Sequence, residues 1–430
     1  SMPEGPSGAA FADRGNGSGV FTWTPSAAGD LGGHTARFAA SDGHLSGTTV
    51  VSIDVTSFAV TRPAAGDVAR HGGDLCVAWS GARALGAVAV DLWRGTNFLL
   101  NLTNGLPAPS GHMAWHYTVP AGIRPGREYR VRVREAGNPG NAAASAPFAV
   151  LLPCPNDFDG DGVSDLSLYN REEGAWRVYG SRMGNYRMQF DPAGDEPVPW
   201  DYNGDGRTDF VVYRQQSGEW RMRMIVTGNM YLADSARLGG PGCEAAAGDY
   251  DGDGRLDVAV YQENTGQWHV LLSGAGYDPG SVLSGQFGGP GYSFVSGDYD
   301  GDGRSDPTLY QGDTGQWFGL LSGAGYALAS ANLGGNDCRP VSGDFDGDGR
   351  SDMAVYCEAT GEWRVSLSGS GFALAALVLG GPGYAPVPGD YDGDGLTDLI
   401  VYHALTGTWS GRLSGSGYAA SACGTLGGAT

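Results

Sequence analysis

The stretch that most restricts this chain is nine residues long and occurs six times. The pattern D-x-[DN]-G-D-G-x-x-D begins at Asp157, Asp201, Asp249, Asp298, Asp344 and Asp390, so successive starts lie 44, 48, 49, 46 and 46 residues apart. Self-similarity at such a period marks a repeat architecture, in which each copy is one supersecondary unit stacked on the next. Every copy continues alike, first with an apolar alternation: "DLSLY", "DFVVY", "DVAVY", "DPTLY", "DMAVY", "DLIVY". A polar turn with glycine, a Trp strand, a "G-x-G-[YF]"-like turn, another strand-like stretch and usually "LGG" follow. Short period-2 runs bounded by Gly, Asp and Asn read as strands, and helical periodicity is absent. One strand ends at the acidic motif, one follows it, one surrounds the Trp and one leads to "LGG". Four-stranded units at a period in the forties match the blades of a propeller.

The acidic motif crowds like charges, which repel unless something neutralises them. Its positions 1, 3, 5 and 9 offer side-chain oxygens and position 7 a carbonyl, the spacing of the first half of an EF-hand loop, and glycine at position 6 permits the sharp turn. Hard oxygen ligands in a flexible cage suit Ca²⁺ better than Mg²⁺. The expected side-chain ligands are Asp157, Asp159, Asp161 and Asp165; Asp201, Asn203, Asp205 and Asp209; Asp249, Asp251, Asp253 and Asp257; Asp298, Asp300, Asp302 and Asp306; Asp344, Asp346, Asp348 and Asp352; and Asp390, Asp392, Asp394 and Asp398. The carbonyls of Val163, Arg207, Arg255, Arg304, Arg350 and Leu396 complete them. Asn203 keeps an oxygen but removes a charge, which weakens the second site. About six Ca²⁺ ions would bring the formal charge of −21 to −9. No additional carboxylate or His accompanies the loops, so the ions read as structural staples at strand turns.

With these motifs, residues 151–430 resemble the FG-GAP/VCBS repeats of integrin-type β-propellers. Propellers of that family commonly have seven blades, whereas six repeats occur here. The expected fold is all-β, with a closed six-bladed ring (alternatively seven blades, one supplied from elsewhere) preceded by Ig-like β-sandwich domains.

Residues 57–150, with "VTRPAAGD", "VAWSG", "YRVRV" and "APFAV", resemble the Kre9/Knh1-like surface-protein domain, an Ig-like sandwich. Leu75, Val77 and Trp79 share a parity that points to the core, leaving Cys76 outward. Residues 1–56 form a partial segment, in which "VFTWTPSAAGDLGGHTARFAASDGHLSGTTVVSIDV" resembles the second half of a bacterial Ig- or cadherin-like domain. That half-domain and the opening Ser-Met suggest a fragment of a longer protein. The first residues carry no basic n-region or apolar h-region and do not read as a signal peptide.

Six cysteines without a C-x-x-C pair argue against zinc or thioredoxin-type chemistry and suit an exported protein with one or two disulfides. Counting outward from the fifth acidic turn sets Cys338 opposite Cys357, and a disulfide is expected there. A clasp between Cys154 and Cys423 would join the ends of the ring; Cys76 and Cys243 have no assignment.

Trp176, Trp220, Trp268, Trp317, Trp363 and Trp409, with Tyr169, Tyr213, Tyr261, Tyr310, Tyr356 and Tyr402, recur once per repeat, as packing between blades requires. In integrin-type blades the face opposite the calcium loops carries the turns "QENTGQ", "QGDTGQ", "HALTGT", "GGPGYS" and "GGPGYA". The resemblance therefore makes Tyr292 and Tyr384 ligand-binding candidates on that rim, where aromatic faces can stack on sugars.

The acidic balance argues against nucleic acid as a partner. No apolar run is long enough to span a membrane. The seven His residues show no metal-ligand spacing, and neither G-x-S-x-G nor a Walker loop is present, so no catalytic residue is assigned. The reading is an extracellular or cell-surface, secreted, calcium-stabilised adhesion or carbohydrate-binding (lectin-like) protein whose partner is a glycan or surface protein. The alternatives are a non-catalytic module of a larger secreted polysaccharide-active enzyme, or a propeller lyase. Fold alone does not decide among them.

Overall fold

The structure is a computed structural model. It describes the chain except residues 24–31, 56–57, 82–84, 110–111, 121–122, 124–125, 152, 181, 183, 191–193, 227–228, 233–235 and 426–430. Side chains at 32, 54–55, 112, 225–226, 229–232 and 420–425 also lie outside the described residues. The chain is all-β; its only described helical turns are three-residue 3-10 turns such as Ser322–Ala324.

Two compact units are present. The first comprises Ser1–Ala65, Cys76–His116 and Arg130–Ala146. In it Gly32–Ser41 pairs with Ser46–Val55, and Gly86–Arg94 with Asn97–Ala108 through three register shifts. Val77, Trp79, Val88, Val131 and Val133 are buried, whereas Cys76 is half-buried. The second comprises Gly66–Leu75, Tyr117–Tyr129 and Pro147–Thr430. It therefore takes in two stretches that precede the acidic repeats.

In the second unit six antiparallel sheets follow one another along the chain. The third shows the plan: Cys243–Ala245, Val258–Gln262, Gln267–Leu271 and Leu283–Gln286 pair in that order. The acidic loop joins the first strand to the second. Val258, Ala259, Val260 and Tyr261 are all 0% exposed. The second strand is thus apolar on both faces rather than alternating, because a sheet stacked between neighbours has no solvent face. The first sheet has only three described strands, starting at Leu166–Asn170. Pro153 and Pro155 stand where its first strand would be, and proline offers no N–H for a ladder.

Packing between sheets explains the recurring aromatics. Tyr and Trp face each other across strands two and three, as in Tyr310↔Trp317 and Tyr356↔Trp363. Trp220, Trp317, Trp363 and Trp409 are at most 1% exposed, while Trp268 is half-buried opposite Gly285. The tyrosine hydroxyls have a second task. Tyr213, Tyr261, Tyr310 and Tyr356 each accept the amide of a "GG" glycine, respectively Gly240, Gly289, Gly335 and Gly381, at 2.9–3.1 Å. The "LGG" turn that leads out of one sheet is held by the tyrosine beneath it. This stack of antiparallel sheets, four of them four-stranded among the described residues, is a β-propeller.

Candidate metal centres

The third loop shows how the acidic motif is built. Asp249 Oδ1 accepts the amides of Gly252 at 2.7 Å and Asp253 at 3.2 Å, and Oδ2 that of Gly254 at 2.8 Å. These amides converge because Gly252 and Gly254 have φ of 78° and 80°, a region that a Cβ disfavours. The same left-handed pair occurs in all six loops, which is why the motif needs glycine at both positions 4 and 6. At the other end, Asp257 Oδ2 accepts the Tyr250 amide at 2.7 Å and fastens position 9 to position 2.

A second chain segment reaches each of the last four loops, and sequence reasoning missed it. After the Trp strand, the Ser273 amide donates to Asp257 Oδ1 at 2.6 Å, its hydroxyl to Asp253 Oδ1 at 2.9 Å, and the Gly274 amide to Asp251 Oδ2 at 3.1 Å. Ser322, Ser368 and Ser414 repeat this, each hydroxyl bonded to an aspartate 20 residues earlier. The signal was legible as "LSG" at a fixed distance beyond every one of these motifs.

Carboxylate oxygens from Asp157, Asp159 and Asp165 lie within 4.8 Å of one another. So do those of Asp249, Asp251 and Asp257; Asp298, Asp300 and Asp302; Asp344, Asp346 and Asp348; and Asp390, Asp392 and Asp398. Oxygens sharing one Ca²⁺ at about 2.3–2.6 Å can be at most about 5 Å apart, so this spread fits a common ion. The second loop forms no such trio among the described residues; there the Asn203 side chain donates from Nδ2 to Asp209 Oδ1 at 3.3 Å. Asp161, Asp205 and the remaining position 5 and 9 carboxylates occupy the same loops. The position 7 residues Val163, Arg207, Arg255, Arg304, Arg350 and Leu396 each donate their own amide to the position 5 aspartate at 2.8–3.0 Å.

The electrostatics fit a counter-charge. Burial, aided by neighbouring aspartates, pushes Asp249 and Asp209 up to about 8. It pushes Asp157, Asp298 and Asp344 up to about 7. Carboxylates raised this far are held ionised only at a cost that a bound cation removes.

The loops are tied in a cycle. The amide at position 8 of each loop donates to the carbonyl of position 1 of the loop before: Thr208 to Asp157, Leu256 to Asp201, Ser305 to Asp249, Ser351 to Asp298 and Thr397 to Asp344, at 2.6–2.9 Å. The sixth bond returns to the start, from Ser164 to Asp390 at 2.7 Å. Within the cycle, residues such as Trp200, Asp249 and Asp390 line a cavity of about 430 Å³.

Tyr292 and Tyr384 begin the first strands of the fourth and sixth sheets. Both are half-buried; Tyr292 meets Phe318 edge-on and Tyr384 lies 4.7 Å from the His403 ring. Cys338 pairs with Cys357 across strands and the two form a disulfide. Cys154 is a buried free thiol, and the Cys423 side chain lies outside the described residues.

The family model for the FG-GAP-like repeat matches residues 201–260, 249–306 and 344–401. No curated protein matches the chain. Among solved structures, similarity is found to virginiamycin B lyase from Staphylococcus aureus, at 7% identity over 63% of this chain and 84% of that one, TM-score 0.38. An auxiliary nutrient binding protein from Bacteroides thetaiotaomicron is similar at 9% identity over 86% and 88%, TM-score 0.29. The exotype rhamnogalacturonan lyase YesX is similar at 11% identity over 79% and 88%, TM-score 0.29. TM-scores this low say nothing about what this chain binds. Three stretches of the repeat region, 201–260, 249–306 and 344–401, are thus FG-GAP-like repeats, and the sheets that carry them form a β-propeller.

Proposed function

We propose that the acidic loops bind about six Ca²⁺ ions, which staple a closed six-bladed propeller serving as the ligand-recognition module of an extracellular adhesion or carbohydrate-binding protein. The observation that carries this reading is the repetition of one carboxylate cage on a hydrogen-bonded cycle of loops. A need that recurs in every repeat is structural; a single catalytic centre would not recur. In each cage the aspartates would supply the oxygens and the glycine and serine amides would keep them aimed inward. The ion supplies positive charge, and the gain is the folding free energy of the hairpin it closes. Ig-like sandwiches over residues 57–150, and a partial one over 1–56, would act as spacers. The disulfide suits an oxidising, extracellular setting.

Calorimetric titration of chelator-stripped protein with Ca²⁺ tests the ion reading, with saturation near six equivalents expected. A glycan array probed with and without chelator tests recognition. Binding that requires Ca²⁺ supports the lectin reading, and turnover of an arrayed polysaccharide would support the lyase alternative.

A further inference from the structure

The position 7 side chains form a pattern that breaks at two places. In loops two to five this residue is arginine: Arg207, Arg255, Arg304 and Arg350. Each lies over the position 4 glycine of the preceding loop. A methyl group at Gly160 would lie 2.7 Å from Arg207 Nε, and one at Gly204, Gly252 or Gly301 2.8–3.0 Å from Cγ of Arg255, Arg304 or Arg350. Glycine is therefore needed there for a close approach as well as for its φ. Loops one and six, which meet where the cycle closes, have Val163 and Leu396 instead.

At both places an arginine arrives from the stretches that precede the repeats. Arg127 takes the position over Gly347 that residue 396 leaves open: a methyl there would lie 2.7 Å from its Nε. It donates to Gly347 O at 2.9 Å and to Asp394 O at 3.4 Å, bridging loops five and six. Beside Val163, Arg70 donates from one nitrogen to Gly162 O at 3.2 Å and to Asp390 Oδ2 at 2.5 Å, bridging loops one and six. It is 11% exposed and its partner 5%. Both belong to the same compact unit as the loops. Their stretches are joined to each other, with Gly72 donating to Val119 O and Val119 to Gly73 O at 3.0 Å.

We propose that the described parts of Gly66–Leu75 and Tyr117–Tyr129 are a clamp that holds the propeller shut at its seam, with Arg127 taking over Gly347 the place of the arginine that loop six lacks, and Arg70 bridging loops one and six where Val163 alone covers Gly393. The repeats alone are then an incomplete ring. At Arg127 a guanidinium suits the role because its separate nitrogens, Nε and Nη, reach acceptors on two loops at once. The proposal does not depend on the identity of the ion or of any ligand.

Hydrogen exchange on the full chain tests it. In Arg70→Gln, amides of peptides containing Ser164 and Asp390 should exchange at least about tenfold faster than in the parent, with peptides containing Ser305 and Ser351 unchanged. Arg127→Gln should do the same for the peptide containing Thr397, and Arg304→Gln should leave the seam unchanged. Arg70→Lys, which keeps the charge but loses the planar, longer-reaching guanidinium, should show a smaller acceleration confined to the seam, and it serves if Arg70→Gln does not fold. Seam exchange at the parent rate in the folded variants, or equal acceleration in all six loops, would overturn the clamp.

Discussion

The Ser164 amide donates to the Asp390 carbonyl at 2.7 Å, and the Asp390 amide donates back to the Ser164 hydroxyl at 2.9 Å, across 226 residues of chain. Ser305 with Asp249 and Ser351 with Asp298 make the same reciprocal pair between loops adjacent in sequence. The seam is thus fastened by the same local chemistry as other loop contacts. Replacing Ser164 with Ala removes the returned bond and leaves a buried amide unsatisfied, at a cost of about 1–3 kcal/mol. Chemical denaturation should show that loss, whereas Ser416→Ala, at an exposed turn, should lie within about 0.5 kcal/mol of the parent.

The stabilisation that calcium gives should grow with pH. Without an ion, Asp249 and Asp209 are raised to about 8, and Asp157, Asp298 and Asp344 to about 7, from the usual 3.8. A carboxylate with a raised folded pKa contributes stability below its unfolded value and loses it as pH climbs through the folded one. Chelated protein should therefore melt lower at pH 8 than at pH 5.5. Calcium binds the ionised form, so the difference in Tm between loaded and chelated protein should grow over that window. A difference independent of pH would contradict the assignment of these carboxylates as ligands.

Asp298→Asn separates a cation ligand from a turn-former. It keeps shape but removes one of the repelling charges. In excess Ca²⁺ the variant should bind one ion fewer, and the rise in Tm that Ca²⁺ gives over the chelated form should be smaller than in the parent. A lower Tm under both conditions with the ion count intact would assign Asp298 to turn formation alone.

Much of this is legible in the sequence alone. The repeat period, the all-β class and the cross-strand Cys338–Cys357 pairing follow from spacing, since a hairpin anchored at Asp344 and Asp352 fixes its own register. What was not legible depends on contacts between distant segments. "LSG" looked like an ordinary turn because its partners are aspartates on another strand connection. Arg70 and Arg127 carry no motif at all; Val163 and Leu396 mark only where the run of position 7 arginines breaks. The alternation read into "DVAVY" failed because a strand stacked between two sheets has no polar face.

The tyrosine under each "GG" turn offers a test of the packing between sheets. Tyr356→Phe keeps the ring against Trp363, whose centroid is 5.2 Å away, but leaves the Gly381 amide without its acceptor. A loss of about 1–3 kcal/mol is expected. Trp363→Ala, which empties a fully buried site, should cost about 3–5 kcal/mol. Equilibrium denaturation of both variants in excess Ca²⁺ checks the order.

Metal analysis of protein purified without chelator, paired with its thermal unfolding before and after exhaustive EDTA dialysis, bears most directly on the central claim. About six equivalents of calcium, and a large fall in Tm that added Ca²⁺ restores, are the expected result. Metal-free protein whose melting and near-UV dichroism ignore both EDTA and Ca²⁺ would contradict it.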